Sequence, residues 1–385
     1  MKKLFALVLC VIMALSMIAC AAPTGDADAS KDAVDSTVDY TYVEQPGTEY
    51  SLRDYYLAAD FNDCNSTYTA KGGVVNVPDD VKSTMPKADE EYTIGFSVYY
   101  TVDEVGAMIL DNMKKFAEEA GVKLLVNDAN YDQNLQNQAI EQWIVEGVDG
   151  VILAPCDFYG VKGALDELNK AGIPVVTLNP ALEGSADSGV LGECVEQGRI
   201  AGQMLVDHLK AAGSDMKGVI TINTLNFVHP NAATREKGFR DAFAEYPDIE
   251  FVVLTGVSPE EHYTQFEGAI ANYGEELIGG FGLYSSATIG MMNAAEANSS
   301  AVPITSIDND KVILEGIYNG KLLGSACYSS TAPAFWCMSA IVNLLNGVDV
   351  PCIYWYENLA VTKANVAEAF EHYHGVTLED YLAGN

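Results

Sequence analysis

The segment FEHYHG places His372 and His374 two residues apart, a spacing that turns both imidazoles to one side only in a strand. No third ligand type follows in order, so a metal is not expected there and the segment reads as a polar tail. Asp308, Asn309 and Asp310 open like a calcium loop, but Gly is missing at its sixth position and the bidentate Glu at its twelfth. GGFG at 279–282 does not complete GxGxxG. No GxSxG, HExxH or supported pair of catalytic carboxylates occurs. Six cysteines follow Cys20, at 64, 156, 194, 327, 337 and 352, and none forms a CxxC pair. Cys156, Cys327 and Cys337 lie in apolar patterns, where a thiol behaves as a small hydrophobe; disulfides are compatible with an oxidising compartment, but spacing assigns none. Neither a cofactor nor a metal is expected.

The one cysteine with a chemical context is Cys20. Lys2 and Lys3 precede an apolar run from Leu4 to Ile18, interrupted only by Ser16, which ends at Ala19-Cys20. A basic flank, a short greasy segment and a small residue make an export signal, too short for an ordinary spanning helix. The junction resembles the lipobox of bacterial lipoproteins, with Met17 where that motif prefers Leu; a plain secretory cleavage is the rival reading. The resemblance implies that residues 1–19 are removed and that Cys20 is lipidated, anchoring the chain to the outer face of the membrane, each buried methylene contributing about 0.8 kcal/mol. The formal net charge of −33 excludes nucleic acid as a partner, because phosphate binding needs clustered Lys and Arg. It also means that anchoring cannot rest on attraction to anionic lipids.

Residues 20–37 are small, acidic and aperiodic, as in a disordered tether. Residues 38–91 begin rich in tyrosine and are expected to pack on the body as an arm. From Tyr92 a regular rhythm sets in. YTIGFSVYY, VKLLVND, DGVILAP and PVVTLNP read as buried strands, separated by amphipathic helices at 104–120, 134–146 and 159–171. SGVLGE completes this half, and the rhythm then repeats. Helices at 197–212, 231–246, 260–273, 287–298 and 312–319 alternate with GVITINT, FVVLTGV, ELIGGFG, VPITSID and LLGSACYSS. Such alternation implies parallel sheets covered on both faces. Two successive runs predict an α/β protein of two similar lobes, with a cleft at the carboxyl ends of the strands.

The order IGFSVYYTVDEVGAMILDNMKKFAEEAGVKL, EQWIVEGVDGVILAP, AGIPVVTLNP, GRIAG, TREKGFRDAF and PITSIDND resembles the type I periplasmic substrate-binding proteins of ABC importers, nearest the ribose and galactose binders, over residues 92–361. The resemblance implies two Rossmann-like lobes joined by a three-crossing hinge. The N-terminal lobe would take residues 92–192 with 329–356, and the C-terminal lobe 193–328 with 357–385. It also implies ligand contacts at Tyr100, Asp103 and Val105 after the first strand and at Asn179, which stands where the family has Asp, with Pro180 in place of the Arg that follows it. On the second lobe it implies Arg235, Tyr263, Tyr284, Asp308 and Tyr328. Sugars need this mixture, because their C–H faces pack on aromatic rings while their hydroxyls must be paired again on leaving water. Each position has a plainer alternative: Asp103 and Asp308 as helix caps, Arg235 as a surface residue, the tyrosines as half-buried packing.

The resulting expectation is a monomeric, non-enzymatic solute receptor that captures a sugar or a related polyol or nucleoside and delivers it to an ABC permease. A sensory module that signals to a membrane kinase or chemoreceptor is the alternative, and an extracytoplasmic enzyme a third.

Overall fold

The computed structural model describes residues 68–157, 160–179, 185–192, 194–226 and 229–384, and the backbone of 41–45 and 48–51. The export signal, Cys20, the tether, Cys64, Tyr159 and Pro180 lie outside these residues. Strands β1 (Thr41–Gln45) and β2 (Thr48–Ser51) form an antiparallel pair.

Two sheets dominate the rest. The first has seven strands, all parallel to their neighbours: β3 (Val74–Val77), β4 (Thr93–Val98), β5 (Lys123–Asp128), β6 (Gly150–Leu153), β7 (Val175–Leu178), β8 (Ser188–Gly192) and β14 (Ile353–Tyr356), in the spatial order 3-14-8-7-6-4-5. The second has six: β9 (Gly218–Leu225), β10 (Ile249–Gly256), β11 (Leu277–Gly282), β12 (Ile304–Ile307), β13 (Gly324–Cys327) and β15 (Leu359–Thr362), in the order 10-9-11-12-13-15. Only the β13–β15 pair is antiparallel. The chain passes between the sheets after β8, after β13 and after β14, so the two-lobed architecture with three crossings agrees with the sequence reading.

The helices of the first lobe are α1 (Glu104–Ala120), α2 (Gln133–Glu146), α3 (Lys162–Ala171) and, after the second crossing, α9 (Thr331–Leu345). Those of the second are α4 (Cys194–Ala211), α5 (Pro230–Ala242), α6 (Pro259–Tyr273), α7 (Ser285–Ala297), α8 (Lys311–Tyr318), α10 (Val366–His374) and α11 (Leu378–Leu382). Their ends follow local chemistry. Asp103 accepts from the Gly106 N–H at 2.6 Å to start α1, and Gly121 stops it in the left-handed conformation. Ser258 and Glu261 form a capping box on α6, with Pro259 in the first turn. Among the described residues no helix is long and apolar enough to cross a membrane.

Part of the arm is built into the fold. Val74–Val77 runs parallel to β14 at the edge of the first sheet, and Tyr68 Oη meets Thr177 Oγ1 at 3.0 Å. Beyond β3, Asp79 accepts the Ser329 N–H at the second crossing (2.7 Å) and pairs with His372 of α10 (2.8 Å). The FEHYHG tail is therefore a packed helix, with His374 Nε2 donating to the Asn309 carbonyl at 2.8 Å.

The contact that positions the site most directly is between α4 and α5. A Cβ on Gly198 would lie 1.8 Å from the Arg235 carbonyl oxygen, and one on Gly238 would lie 1.7 Å from that of Val195. The helices touch backbone to backbone, which no side chain allows. Gly198→Ala or Gly238→Ala must therefore force α5 outward, with a loss of about 1–3 kcal/mol as in other overpacked interiors. Urea unfolding should show a lower midpoint with unchanged slope; a midpoint equal to that of the parent chain would contradict the close packing.

Candidate ligand-binding cleft

The first wall is aromatic. Tyr99 and Tyr100 follow β4, and Tyr131 lies in the loop after β5. Tyr131 stacks on Tyr100 (centroids 4.6 Å apart, 19° between planes) and on Tyr99 (5.7 Å, 18°), and its N–H donates to the Tyr99 carbonyl at 2.7 Å. Asn130 and Tyr131 have φ of 47° and 60°. A bulky residue in this region is an outlier, of the kind that clusters where a site demands it. Asp103 stands beside these rings. Burial, then the charge of Asp308, pushes its carboxyl up to about 6, although the Gly106 N–H and Arg235 oppose the shift.

The second wall is polar and charged. Arg235 lies in α5 and is 6% exposed. Its Nε donates to Gln197 Oε1 at 2.8 Å, one terminal nitrogen donates to the Leu283 carbonyl at 2.9 Å, and the other is 3.5 Å from Asp308 Oδ1. Tyr328 lies beneath the guanidinium, 5.7 Å from its centre. Burial works against the charge of Arg235, but Asp308, then Tyr328, Cys194 and Tyr99, together outweigh it and the guanidinium is held protonated. Gln197 in turn donates to Asn358 in the third crossing at 2.8 Å. Asp308 follows β12 in the left-handed region (φ 76°), and Oδ2 accepts from the Ser285 N–H at 3.0 Å. Asn179 occupies the matching place after β7 with φ 74° and is buried. Both types tolerate this conformation better than other residues with a side chain.

The walls meet. His229, at the start of α5, lies edge-on to Tyr99 (5.2 Å) and to Tyr131 (5.8 Å). Burial and the Arg235 charge push its imidazole down to about 3, so it is neutral at ordinary pH. At the rim Glu104 of α1 accepts both the backbone N–H and the ammonium of Lys311, so one lobe caps a helix of the other. Several buried atoms on this side have no hydrogen-bond partner: His229 Nε2, Asn231 Oδ1 and Asp308 Oδ1, the last facing only the longer contact to Arg235. A buried polar atom left unpaired costs about 1–3 kcal/mol. These atoms lie on the wall that faces the stacked rings.

Of the residues expected from sequence, the structure gathers Tyr100, Asp103, Arg235, Asp308 and Tyr328 around this cleft and sets Asn179 at a strand end. Tyr284 lies at the start of α7, its hydroxyl donating to the Gly256 carbonyl (3.0 Å) and meeting His262 Nε2 (2.8 Å). Two of the expected residues make no polar contact with these groups. Val105 is buried among the residues by which α1 packs on its lobe and brings no polar atom. Tyr263 points along α6, donating to Glu267 one turn further on at 3.1 Å, and joins none of these groups. Tyr99, Tyr131, Gln197, His229 and Asn231 were missed. Pro230 is the signal that could have found His229: proline at the first helical position marks the preceding residue as the cap, at the strand-to-helix join.

Comparison with known proteins gives the family. Residues 94–349 match the family model described as "Periplasmic binding protein domain". The xylitol-binding protein of Mycolicibacterium smegmatis is 27% identical over 266 residues, covering 68% of this chain and 75% of that protein. The ribose import binding protein of Bacillus subtilis is 26% identical over 237 residues, covering 60% and 75%. Among solved structures, a substrate-binding protein of a sugar ABC transport system from Bordetella parapertussis superposes with a TM-score of 0.68 at 18% identity, over 75% of this chain and 95% of that one. A family match across more than half of its length, on a fold shared with such structures, makes the chain a member of the periplasmic binding protein domain family, which is composed of extracytoplasmic solute-binding proteins.

Proposed function

We propose that the protein is a lipid-anchored receptor that captures a small, neutral, polyhydroxylated molecule between its lobes and delivers it, chemically unchanged, to an ABC permease. One observation carries the ligand class: stacked tyrosines on one wall face buried, unpartnered polar atoms on the other. A sugar-like molecule fits both, laying an apolar face on the rings and offering hydroxyls to His229, Asn231 and Asp308. The fixed charges argue against an anion. Arg235 already faces Asp308 and His229 carries no charge, so an anionic ligand would enter without a free counter-charge. The names of the xylitol- and ribose-binding relatives support the same class.

The mechanism follows from the two walls. With the lobes apart, Tyr99, Tyr100, Tyr131 and Asp103 would go with residues 92–192 and 329–356, and His229, Asn231, Arg235 and Asp308 with 193–328 and 357–385. A ligand that bridges them binds the closed form better and shifts the population by that difference. Glu104 and Lys311 then meet, which gives a permease a surface present only on closure. The Ala19-Cys20 junction supports lipidation of Cys20 as the attachment to the outer face of the membrane.

A thermal-shift screen over neutral sugars, polyols and nucleosides tests the ligand class, since a ligand binding only the native state raises the melting temperature. At least one such compound should stabilise the protein and be recovered unaltered; stabilisation by charged compounds alone, or recovery of an altered product, would overturn the reading. Asp308→Asn should remove the ligand-dependent shift. It should also lower the stability of the free protein, because loss of the partner of a buried charge costs up to about 3–5 kcal/mol. Tyr131→Ala should weaken binding about tenfold, or about 1.4 kcal/mol, by calorimetric titration, with unaltered affinity counting against the aromatic wall. Cys20→Ser should abolish incorporation of labelled fatty acid and release the protein from the membrane fraction; continued labelling would place the acyl group elsewhere.

A further inference from the structure

A second buried carboxyl, Asp310, lies next to the ligand wall without a part in the scheme above. It holds the cap position of α8, where an Asp ordinarily accepts an N–H of the first turn, yet its side chain makes no such bond. It turns instead onto the hydroxyl of Ser285 at the start of α7. The same hydroxyl is 3.2 Å from Asp308 Oδ2. A serine hydroxyl has one hydrogen and cannot donate to two carboxylates at once. With both carboxyls ionised one of these two contacts would lack a hydrogen, and a proton on either carboxyl supplies it. Asp308 faces the Arg235 guanidinium at 3.5 Å, whereas Lys311, the cation next to Asp310, is engaged by Glu104. The negative charge belongs beside the guanidinium and the proton on Asp310.

We propose that Asp310 is a positioning residue of the binding site: as a neutral acid it donates to Ser285 Oγ, whose own hydrogen fixes Oδ2 of Asp308 and leaves Oδ1 toward Arg235 and the cleft. The inference rests on the reading of Arg235 and Asp308 as a ligand-binding pair.

The surroundings favour the neutral acid. Burial first, then the charge of Asp308, raises the carboxyl to about 8 against the Ser285 hydrogen bond, and Asp103 and Glu104 of α1 add repulsion from across the cleft. Among the described residues, the other groups near this loop do not supply a compensating cation. His374 of α10 meets the Asn309 carbonyl and is held below its usual value by burial, and the Cys327 thiol of β13 donates to the Asp308 carbonyl.

The sign of the effect gives a test without ligand. The folded chain holds a proton on Asp310 that the unfolded chain releases in the ordinary carboxylate range, so the stabilisation it brings declines as pH rises and is gone above about 8. The melting temperature of the parent should fall relative to that of Asp310→Asn from pH 5 to pH 8, and the two should run parallel from pH 8 to pH 9. Parallel curves across the whole range would overturn the proposal. Calorimetric titration with D-ribose and xylitol forms the second arm. Between pH 6 and pH 9 the parent should lose affinity by about tenfold for one coupled proton. Asp310→Asn, whose amide still donates to Ser285, should bind more tightly than Asp310→Ala and show no such loss; equal pH profiles for the parent and Asp310→Asn would refute the positioning role. If the parent binds neither sugar at pH 6, the ligand reading of the cleft fails for these compounds, and the ligand-free arm by itself decides for or against the proton on Asp310.

Discussion

The buried pair of Arg235 and Asp308 constrains more of this molecule than any other contact. A guanidinium removed from water needs its charge met and its N–H groups taken up, and here Gln197 and the Leu283 carbonyl accept two of those N–H groups, Asp308 meets the charge at 3.5 Å and Tyr328 covers its face. Each partner comes from a different place in the chain: the loop after β12, helix α4, the end of β11 and the second crossing. The fit requires α5 to lie against α4 at backbone distance, which Gly198 and Gly238 permit. It also reaches the third crossing, because Gln197 holds Asn358 with its amide. The hinge and the binding wall are thus parts of one hydrogen-bonded assembly, and a change of lobe angle cannot leave the guanidinium's neighbours untouched.

Closure distributes its energetic terms unevenly between the lobes. The first lobe offers rings, whose contribution is contact area and geometry; the second offers buried donors and acceptors whose bonds are incomplete. Neither wall satisfies the other directly, since His229 meets Tyr99 and Tyr131 by ring edges and keeps Nε2 without a partner. On the proposed scheme, a guest that completes those bonds removes a penalty that the lobes otherwise carry. The rim contact differs in kind, because Glu104 capping the start of α8 is an interaction between the lobes themselves. It favours closure whatever lies within, and so sets the baseline on which ligand affinity acts.

How much of this was legible in the sequence depends on whether the signal is local. Strands β4 to β13 and helices α1 to α8 follow from apolar periodicity with glycine, proline and cap residues at their ends, and the parallel order follows from their alternation. Strand β3 was not readable: four residues flanked by Gly72-Gly73 and Pro78 acquire their conformation from β14, far along the chain. Tyr131 lies in an aperiodic loop, and its backbone is set by the stacked site, with no local preference to announce it. His229 sits outside the repeat of α5, so periodicity gave it no face. Tyr263 was expected from the family pattern alone, and in the structure its hydroxyl runs along α6 to Glu267. Arg235 and Asp308 were legible only because a family pattern preserves their surroundings; taken alone, an Arg in a helix and an Asp before one are ordinary surface chemistry.

The acidity of the chain and the chemistry of the cleft pull apart in an informative way. A net charge of −33 surrounds the molecule with a field that would draw cations and repel anions. Within the cleft that field is largely cancelled by local means: Arg235 is matched by Asp308, His229 is kept neutral by burial, and Asp103 is pushed toward neutrality by burial and its acidic neighbour. Selection of an anion would need a free cation at the site, and neither Arg235 nor His229 provides one. Among neutral guests, discrimination must fall to the number and direction of hydroxyls that a guest can set against fixed atoms. This fits a receptor whose exterior is tuned for solubility and whose interior reads stereochemistry, since a guest lacking one of those hydroxyls leaves a buried partner unpaired.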